Sequence, residues 1–248
     1  MISKFINYNR KASRYLTRVF PWLFQSKRQE GTEFTDMIAH SIADRAPKLI
    51  LEAGGVDRPL LTKSPDYRYV GLDIDERLSC YEKYDEFLVQ SIEEPIPLEN
   101  VDLIVSITLL EHVPDNSRSF QSMYDALSDK GIMHHYIPSG YHPYSLALKL
   151  VGPKLQRMLI RKLRPEAEEI TGYPTFFSHC SPGQIDRLLG QIGYQWVEIK
   201  PYYRATEYFS FFVPLYVLIA AFEKAAETFG WRMFCCGMLV TAQKTAGS

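Results

Sequence analysis

The chain has 248 residues, 46% of them hydrophobic, and a formal net charge of −1 from 28 basic and 29 acidic side chains. That length and apolar content suffice for one large α/β domain with decorations. So balanced a charge speaks against a protein built to coat nucleic acid, and the longest apolar run falls short of the roughly 20 residues that span a bilayer. The four cysteines, Cys80, Cys180, Cys235 and Cys236, show no metal-like CxxC pairing. They read as free thiols in a reducing cytosol. No short apolar core with a small-residue cleavage site opens the chain, so the expected location is cytoplasmic, with peripheral contact at the inner face of the membrane as an extension.

In chain order, residues 1–28 carry Lys4, Arg10, Lys11, Arg14, Arg18, Lys27 and Arg28 and no acid, interleaved with aromatics such as Tyr8, Tyr15 and Trp22. Residues 1–30 therefore read as a basic aromatic N-terminal arm, and 31–248 as one domain. Apolar runs bounded by turn residues predict strands near 48–53, 68–73, 87–90, 102–107, 131–137, 194–200 and 236–243. Helices are predicted near 33–44, 76–84, 117–127 and 182–192, the last opened by Ser181-Pro182 and closed by Gly193. Strands alternating with helices predict a mostly parallel sheet with helices on both faces.

The segment from Leu49 to Asp75 is the most specific. An apolar strand ends in Glu52, followed by Gly54 and Gly55, and a second strand, Tyr69-Val70-Gly71-Leu72, stops at Asp73, 21 residues after Glu52. Glycines after a first strand let backbone approach a ligand closely. An acid about 20 residues on is placed to accept from two ribose hydroxyls. The second and third glycines of a dinucleotide loop are missing, and Asp57 would repel a phosphate. An adenosine ligand without phosphates fits better.

At these residues the sequence resembles the class I S-adenosylmethionine-dependent methyltransferases, keeping their first-motif acid and the first of their alternate glycines. The resemblance continues through Ile92–Leu98, the strand Val101–Ser106, the Leu110-Glu111-His112-Val113 signature, and Leu127–Gly131 before the fifth strand. It implies a Rossmann-like seven-stranded sheet whose last strand is antiparallel, and S-adenosylmethionine as cofactor. It further implies that Gly54 and Gly55 approach the methionine part and that Glu52 contacts that part through water or holds the loop. Asp73 would take the ribose, with Ile74 packed on the adenine and Ser91 and the Ile92 backbone beside it. Ser106, at the end of the fourth strand, completes the candidate cofactor set.

A methyl sulfonium is already activated, so the protein must chiefly align the acceptor; an oxygen acceptor also needs a general base. His112, just after the fourth strand, and His142, just after the fifth, are the two candidates, each weighed against a packing role; His134, His135 and His179 are weaker. Some relatives bind magnesium through an ExxEH pattern, but Thr108 replaces the first acid here, and no metal is expected.

Two insertions, at about 138–180 and 201–233, leave from the carboxyl ends of the fifth and sixth strands, the rim where ligands bind in such sheets. Within them, 145–164 carries six basic residues and no acid, and Tyr208–Phe222 is almost wholly apolar between Glu207 and Glu223. With the arm, these segments suit a helix lying on a membrane rather than spanning it, and Pro214 should kink the apolar one. A buried lid helix and a solvated basic face are the plainer alternatives, and nucleic acid is disfavoured. The decorations resemble those of bacterial methyltransferases of cell-surface glycan assembly. The expected function is O-methylation of a glycan, lipid-linked or other hydrophobic small-molecule acceptor near a membrane surface. The alternative is a non-catalytic module whose eroded loop no longer holds cofactor.

Overall fold

A computed structural model describes residues 2–24, 30–150, 152 and 173–244. Seven strands, β1 (Leu49–Ala53), β2 (Arg68–Asp73), β3 (Glu86–Val89), β4 (Val101–Ile107), β5 (Leu127–Pro138), β6 (Trp196–Tyr202) and β7 (Gly237–Gln243), form one sheet in the order β3-β2-β1-β4-β5-β7-β6. The run from β3 to β5 is parallel throughout. β7 is antiparallel to both neighbours. At the two ends of β5, the Lys244 amide donates to Gly131 and the Ser139 amide to Cys236. Along β6, Gln195 donates to Gln243 and Cys236 to Tyr202. Numbers rise on one strand as they fall on the other, the mark of antiparallel pairing.

Apolar runs without alternation, such as Leu49-Ile50-Leu51 and Leu103-Ile104-Val105, form these strands because both faces are covered. His134 bonds to Ser41 of α2 (Glu30–Arg45), while its neighbour His135 packs edge-on against Phe120 of α4 (Asn116–Ala126). Adjacent strand residues point to opposite faces, so the two helices cover opposite sides. α5 (Pro182–Ile192) packs beside α4, with the Tyr194 hydroxyl donating to the Phe120 carbonyl at 3.2 Å. α4 begins at Asp115, whose carboxylate accepts from the Ser117 amide at 2.9 Å and satisfies an otherwise orphaned helix donor.

Three elements differ from expectation. The predicted helix at 76–84 is reduced to the single turn α3 (Cys80–Lys83). β5 starts at Leu127 rather than 131, because Leu127 already pairs with Val101 before the register shifts to Leu103 with Ile132. The polar turn before Gly131 is thus absorbed into the strand as a bulge. The apolar run 208–222 is broken by extended Phe212 into the turn Thr206–Phe209 and the helix α6 (Val213–Thr228). Pro214 sits in the first turn of α6, where a missing amide costs nothing, and starts the helix instead of kinking it.

The chain divides into two compact units, one drawn from Met1–Gln29, Ser139–Thr175 and Pro201–Gly237, the other from Glu30–Pro138, Phe176–Lys200 and Met238–Ser248. The second holds most of the sheet and the main core. In the first, α1 (Ile2–Val19) packs on α6, and Phe24 stacks on Tyr216 with ring centroids 4.9 Å apart. Most of the basic run 145–164 lies outside the described residues. Its Lys149 is described: the ammonium donates to the Gly140 carbonyl at 2.9 Å and lies over the Tyr141 ring.

The bulge leaves no room for a side chain at position 131, where a Cβ would sit 2.8 Å from the Val101 carbonyl oxygen. Gly131→Ala should lower stability by about 1–3 kcal/mol, read as a lower urea midpoint with an unchanged slope.

Candidate functional site

The centre of the sheet is its topological switch point, since the chain leaves β1 toward β2 on one side and β4 lies on the other. The loop after β1 turns at Gly54 (φ +86°), whose amide donates to the Leu72 carbonyl at 2.9 Å. Val56, at the next alternate position, holds φ +46°, a left-handed backbone that a β-branched residue rarely adopts. Thr108, just past β4, holds φ +50°. Strained backbone at two loops flanking one sheet end is typical of a ligand site.

Glu52 is buried at the end of β1. One carboxylate oxygen accepts from the Leu60 amide at 2.9 Å and from the Tyr69 hydroxyl. Its other oxygen, Oε1, has no partner among the described residues, and neither has the buried hydroxyl of Tyr84. Both lie on Gly55, where a Cβ would collide with each. One carboxylate oxygen and one phenol hydroxyl, both desolvated and without a partner among the described residues, thus converge on the glycine loop. Burial pushes the Glu52 carboxyl up to about 8 and raises the Tyr84 phenol.

Asp73 ends β2 half-buried, accepting from the Asp75 amide at 2.8 Å, and burial raises its carboxyl. Beside it Ile74 stands 65% exposed, a large apolar side chain at a strand tip with nothing over it among the described residues. Arg77, further along this loop, pairs with Asp57 of the glycine loop at 2.6 Å and so ties the two loops together. After β3, the Ser91 hydroxyl accepts from the Glu93 amide at 3.2 Å, and Ile92 is buried.

His112 sits on the turn Leu110–His112 after β4, partly exposed, with Nε2 3.7 Å from Glu111 Oε1. The turn is pinned by the Asn116 amide group, which donates to the Leu110 carbonyl at 2.8 Å and to the Ser178 carbonyl at 2.6 Å. Glu111 is buried, and burial pushes its carboxyl up to about 8.

Two expected site residues are engaged by other groups. Ser106 turns into the sheet interior and shares a hydrogen bond with His135 Nδ1 at 2.7 Å, because the parallel register sets it directly beside that histidine. His142 is only 1% exposed, in the other unit. Its Nδ1 accepts from the Tyr144 amide and its Nε2 meets Glu223 Oε1, each at 3.2 Å. Both of its ring nitrogens are thus occupied within its own unit. His134 is likewise occupied by Ser41 and Thr241, and His179 lies beside Ser178. The sheet end therefore gathers Glu52, Gly54, Gly55, Asp73, Ile74, Ser91, Ile92 and His112. Tyr84 and Arg77 went unnoticed in the sequence, where no local pattern marks either.

Four buried groups set opposing pH dependences. Glu52 and Glu111 are raised from 4.5 to about 8, so the fold favours their protonated forms. The stability they contribute is whole below pH 4.5 and is lost as pH climbs to about 8. Burial lowers His134 and His135 from 6.5 to about 4 and about 3, so their neutral forms are favoured. Their contribution is whole above pH 6.5 and is lost as pH falls through those values. The slopes oppose each other between 4.5 and 6.5, and only the carboxyls act above that. Urea midpoints should fall from pH 6.5 to 8, and Glu52→Gln should make that fall about half as steep.

A family profile described as "Methyltransferase domain" matches residues 7–199. Among curated proteins, none matches the sequence. A SAM-dependent methyltransferase structure from Archaeoglobus fulgidus is similar at a TM-score of 0.50 and 12% identity, covering 85% of this chain and 94% of that one. The [4+2]-cyclase SpnF is similar at 0.54 and 14%, covering 87% and 81%. A phosphoethanolamine N-methyltransferase from Haemonchus contortus is similar at 0.51 and 14%, covering 83% of this chain and 52% of that one. At such identities these likenesses speak for the fold alone, and one fold carries many reactions. The profile match extends over most of the chain, which belongs to the methyltransferase-domain family, whose methyl donor is S-adenosylmethionine.

Proposed function

We propose that this protein transfers a methyl group to an oxygen of a hydrophobic acceptor, a glycan, a lipid-linked molecule or a similar small compound. The observation that carries the cofactor assignment is the pair of unpartnered polar atoms, Glu52 Oε1 and the Tyr84 hydroxyl, converging on Gly55 next to the Asp73 strand tip. A buried polar atom left unpaired costs free energy, and an amino-acid ammonium would satisfy both. It would also draw the raised Glu52 carboxyl to its ionised form. Asp73 would accept the ribose hydroxyls, exposed Ile74 would cover the adenine face, and the backbone at Ser91 and Ile92 would line the adenine edge. The Asp57–Arg77 pair cancels the charge that would otherwise sit in the loop. The residues present therefore fit S-adenosylmethionine, which supplies an electrophilic methyl group when bound.

For the acceptor, His112 is the candidate base still at the rim. It would take the hydroxyl proton, with the Glu111 carboxyl 3.7 Å from its Nε2. The hydrophobic character of the acceptor is supported by composition: both insertions leave from the carboxyl ends of β5 and β6 and are rich in aromatic and aliphatic residues.

Titration calorimetry with S-adenosylhomocysteine tests the cofactor site. Asp73→Asn should weaken binding about tenfold or more, the loss of a hydrogen bond to a charged group. Tyr84→Phe should weaken binding while leaving the free protein at least as stable, since it removes a buried hydroxyl with no partner. No binding by folded protein at millimolar ligand would replace this reading with the non-catalytic module. Labelled methyl transfer to lipid and aqueous extracts tests the acceptor. His112→Asn should lower kcat roughly 100-fold or more and flatten its pH profile, with S-adenosylhomocysteine binding unchanged.

A further inference from the structure

We infer that the outer face of α1 docks on an anionic phospholipid surface. The inference is independent of the methyl-transfer reading, because it uses none of the residues assigned to cofactor or acceptor. α1 is held on its inner side. Asn9 Oδ1 accepts from the Val213 amide at 3.0 Å, the Ser13 hydroxyl donates to the Ser210 carbonyl at 3.1 Å, and the Thr17 and Tyr216 hydroxyls meet at 2.5 Å. Ile6, Asn9 and Ser13 are buried there. That fixes which side faces away.

The opposite side carries Lys4, Tyr8, Lys11, Tyr15 and Arg18, at steps of four, three, four and three residues. Such spacing forms one stripe along a helix, about 21 Å from end to end at 1.5 Å per residue. Trp22, in the turn just beyond the helix, is exposed as well. Bases alternate with aromatics along the stripe. Tyr8 is 73% exposed, Tyr15 66% and Trp22 67%. An ordinary surface helix would carry charged and small polar residues opposite its packed side. Here the exposed side is itself amphipathic on a finer scale, with rings that have an apolar body and a polar tip.

Charge selects the occupant. No acid lies anywhere in residues 1–28, so the positive charge of Lys4, Lys11 and Arg18 is not offset by a carboxylate of their own segment and complements a negatively charged surface. Aromatic rings with polar tips favour the bilayer interface, and interspersed lysine and arginine favour anionic headgroups. The same unit also exposes aliphatic residues on α6, Val217 and Leu218, the latter 65% exposed. Aliphatic side chains gain from an acyl boundary and nothing from stacking on bases, which favours lipid over RNA. Among the described residues no helix is long and apolar enough to cross a membrane, so contact through this stripe is peripheral.

The test is co-sedimentation of the full chain with phosphatidylcholine vesicles, pure or containing about one third phosphatidylglycerol. The expected result is partition onto the anionic vesicles at least about tenfold above the neutral ones, lost at about 0.5 M salt, where screening is short-ranged. Lys4→Glu with Lys11→Glu and Arg18→Glu should reduce it about tenfold or more. Tyr8→Ser with Tyr15→Ser should reduce it severalfold even at low salt. All these side chains are exposed, and circular dichroism with S-adenosylhomocysteine titration would verify that the variants stay folded. Equal partition onto both vesicles, no partition, an unchanged charge-reversed variant, or tighter binding to single-stranded RNA than to vesicles would each overturn the inference.

Discussion

Burial of the Glu52 carboxyl at the end of β1 constrains everything around it. Parallel strands on either side leave that carboxyl nowhere to reach solvent, so its protons and partners must come from the fold. The Leu60 amide and the Tyr69 hydroxyl both go to one oxygen, which pins the loop after the strand back against β2. The other oxygen is left facing Gly55 together with Tyr84. Position 55 then tolerates only glycine, and the chain runs on through a left-handed Val56. A desolvated carboxyl of this kind is poised to respond to a cation, because burial already holds it near neutrality.

A second buried acid organises the other unit. Glu223 Oε1 meets His142 and accepts from the Ala205 amide at 2.8 Å, while Oε2 accepts from the Thr206 hydroxyl. One carboxylate on α6 thus gathers the segment that follows β5 and the segment that follows β6. Removing one partner from such a network strands the others without water, which is why these groups act as scaffold. Within this network His142 has both ring nitrogens occupied, one by the Tyr144 amide and one by Glu223.

The family relation and the site geometry answer different questions. The profile match accounts for the sheet and the donor. The relation to a cyclase of the same fold shows that reaction type does not follow from architecture. What the acceptor is depends on side chains brought to the rim, where the pattern of the strands has no say.

The parts legible in the sequence are those set by neighbours along the chain. Seven strands could be read because runs such as Leu49–Leu51 and Val101–Ile107 are long, apolar and bounded by polar turns, and an acid at a strand tip such as Asp73 needs only its strand to be placed. α5 was equally plain, since proline starts helices and Gly193 stops this one. Tertiary structure decided the rest, because it depends on residues distant in sequence. Val101 turns the start of β5 into a bulge, and the register of β4 on β5 points Ser106 at His135. Residues 32 and 81 positions away leave Glu52 with Tyr84's unpaired hydroxyl and His142 with a carboxylate. Period and punctuation are local properties of a chain, whereas which polar groups find partners once buried is decided only when distant segments meet.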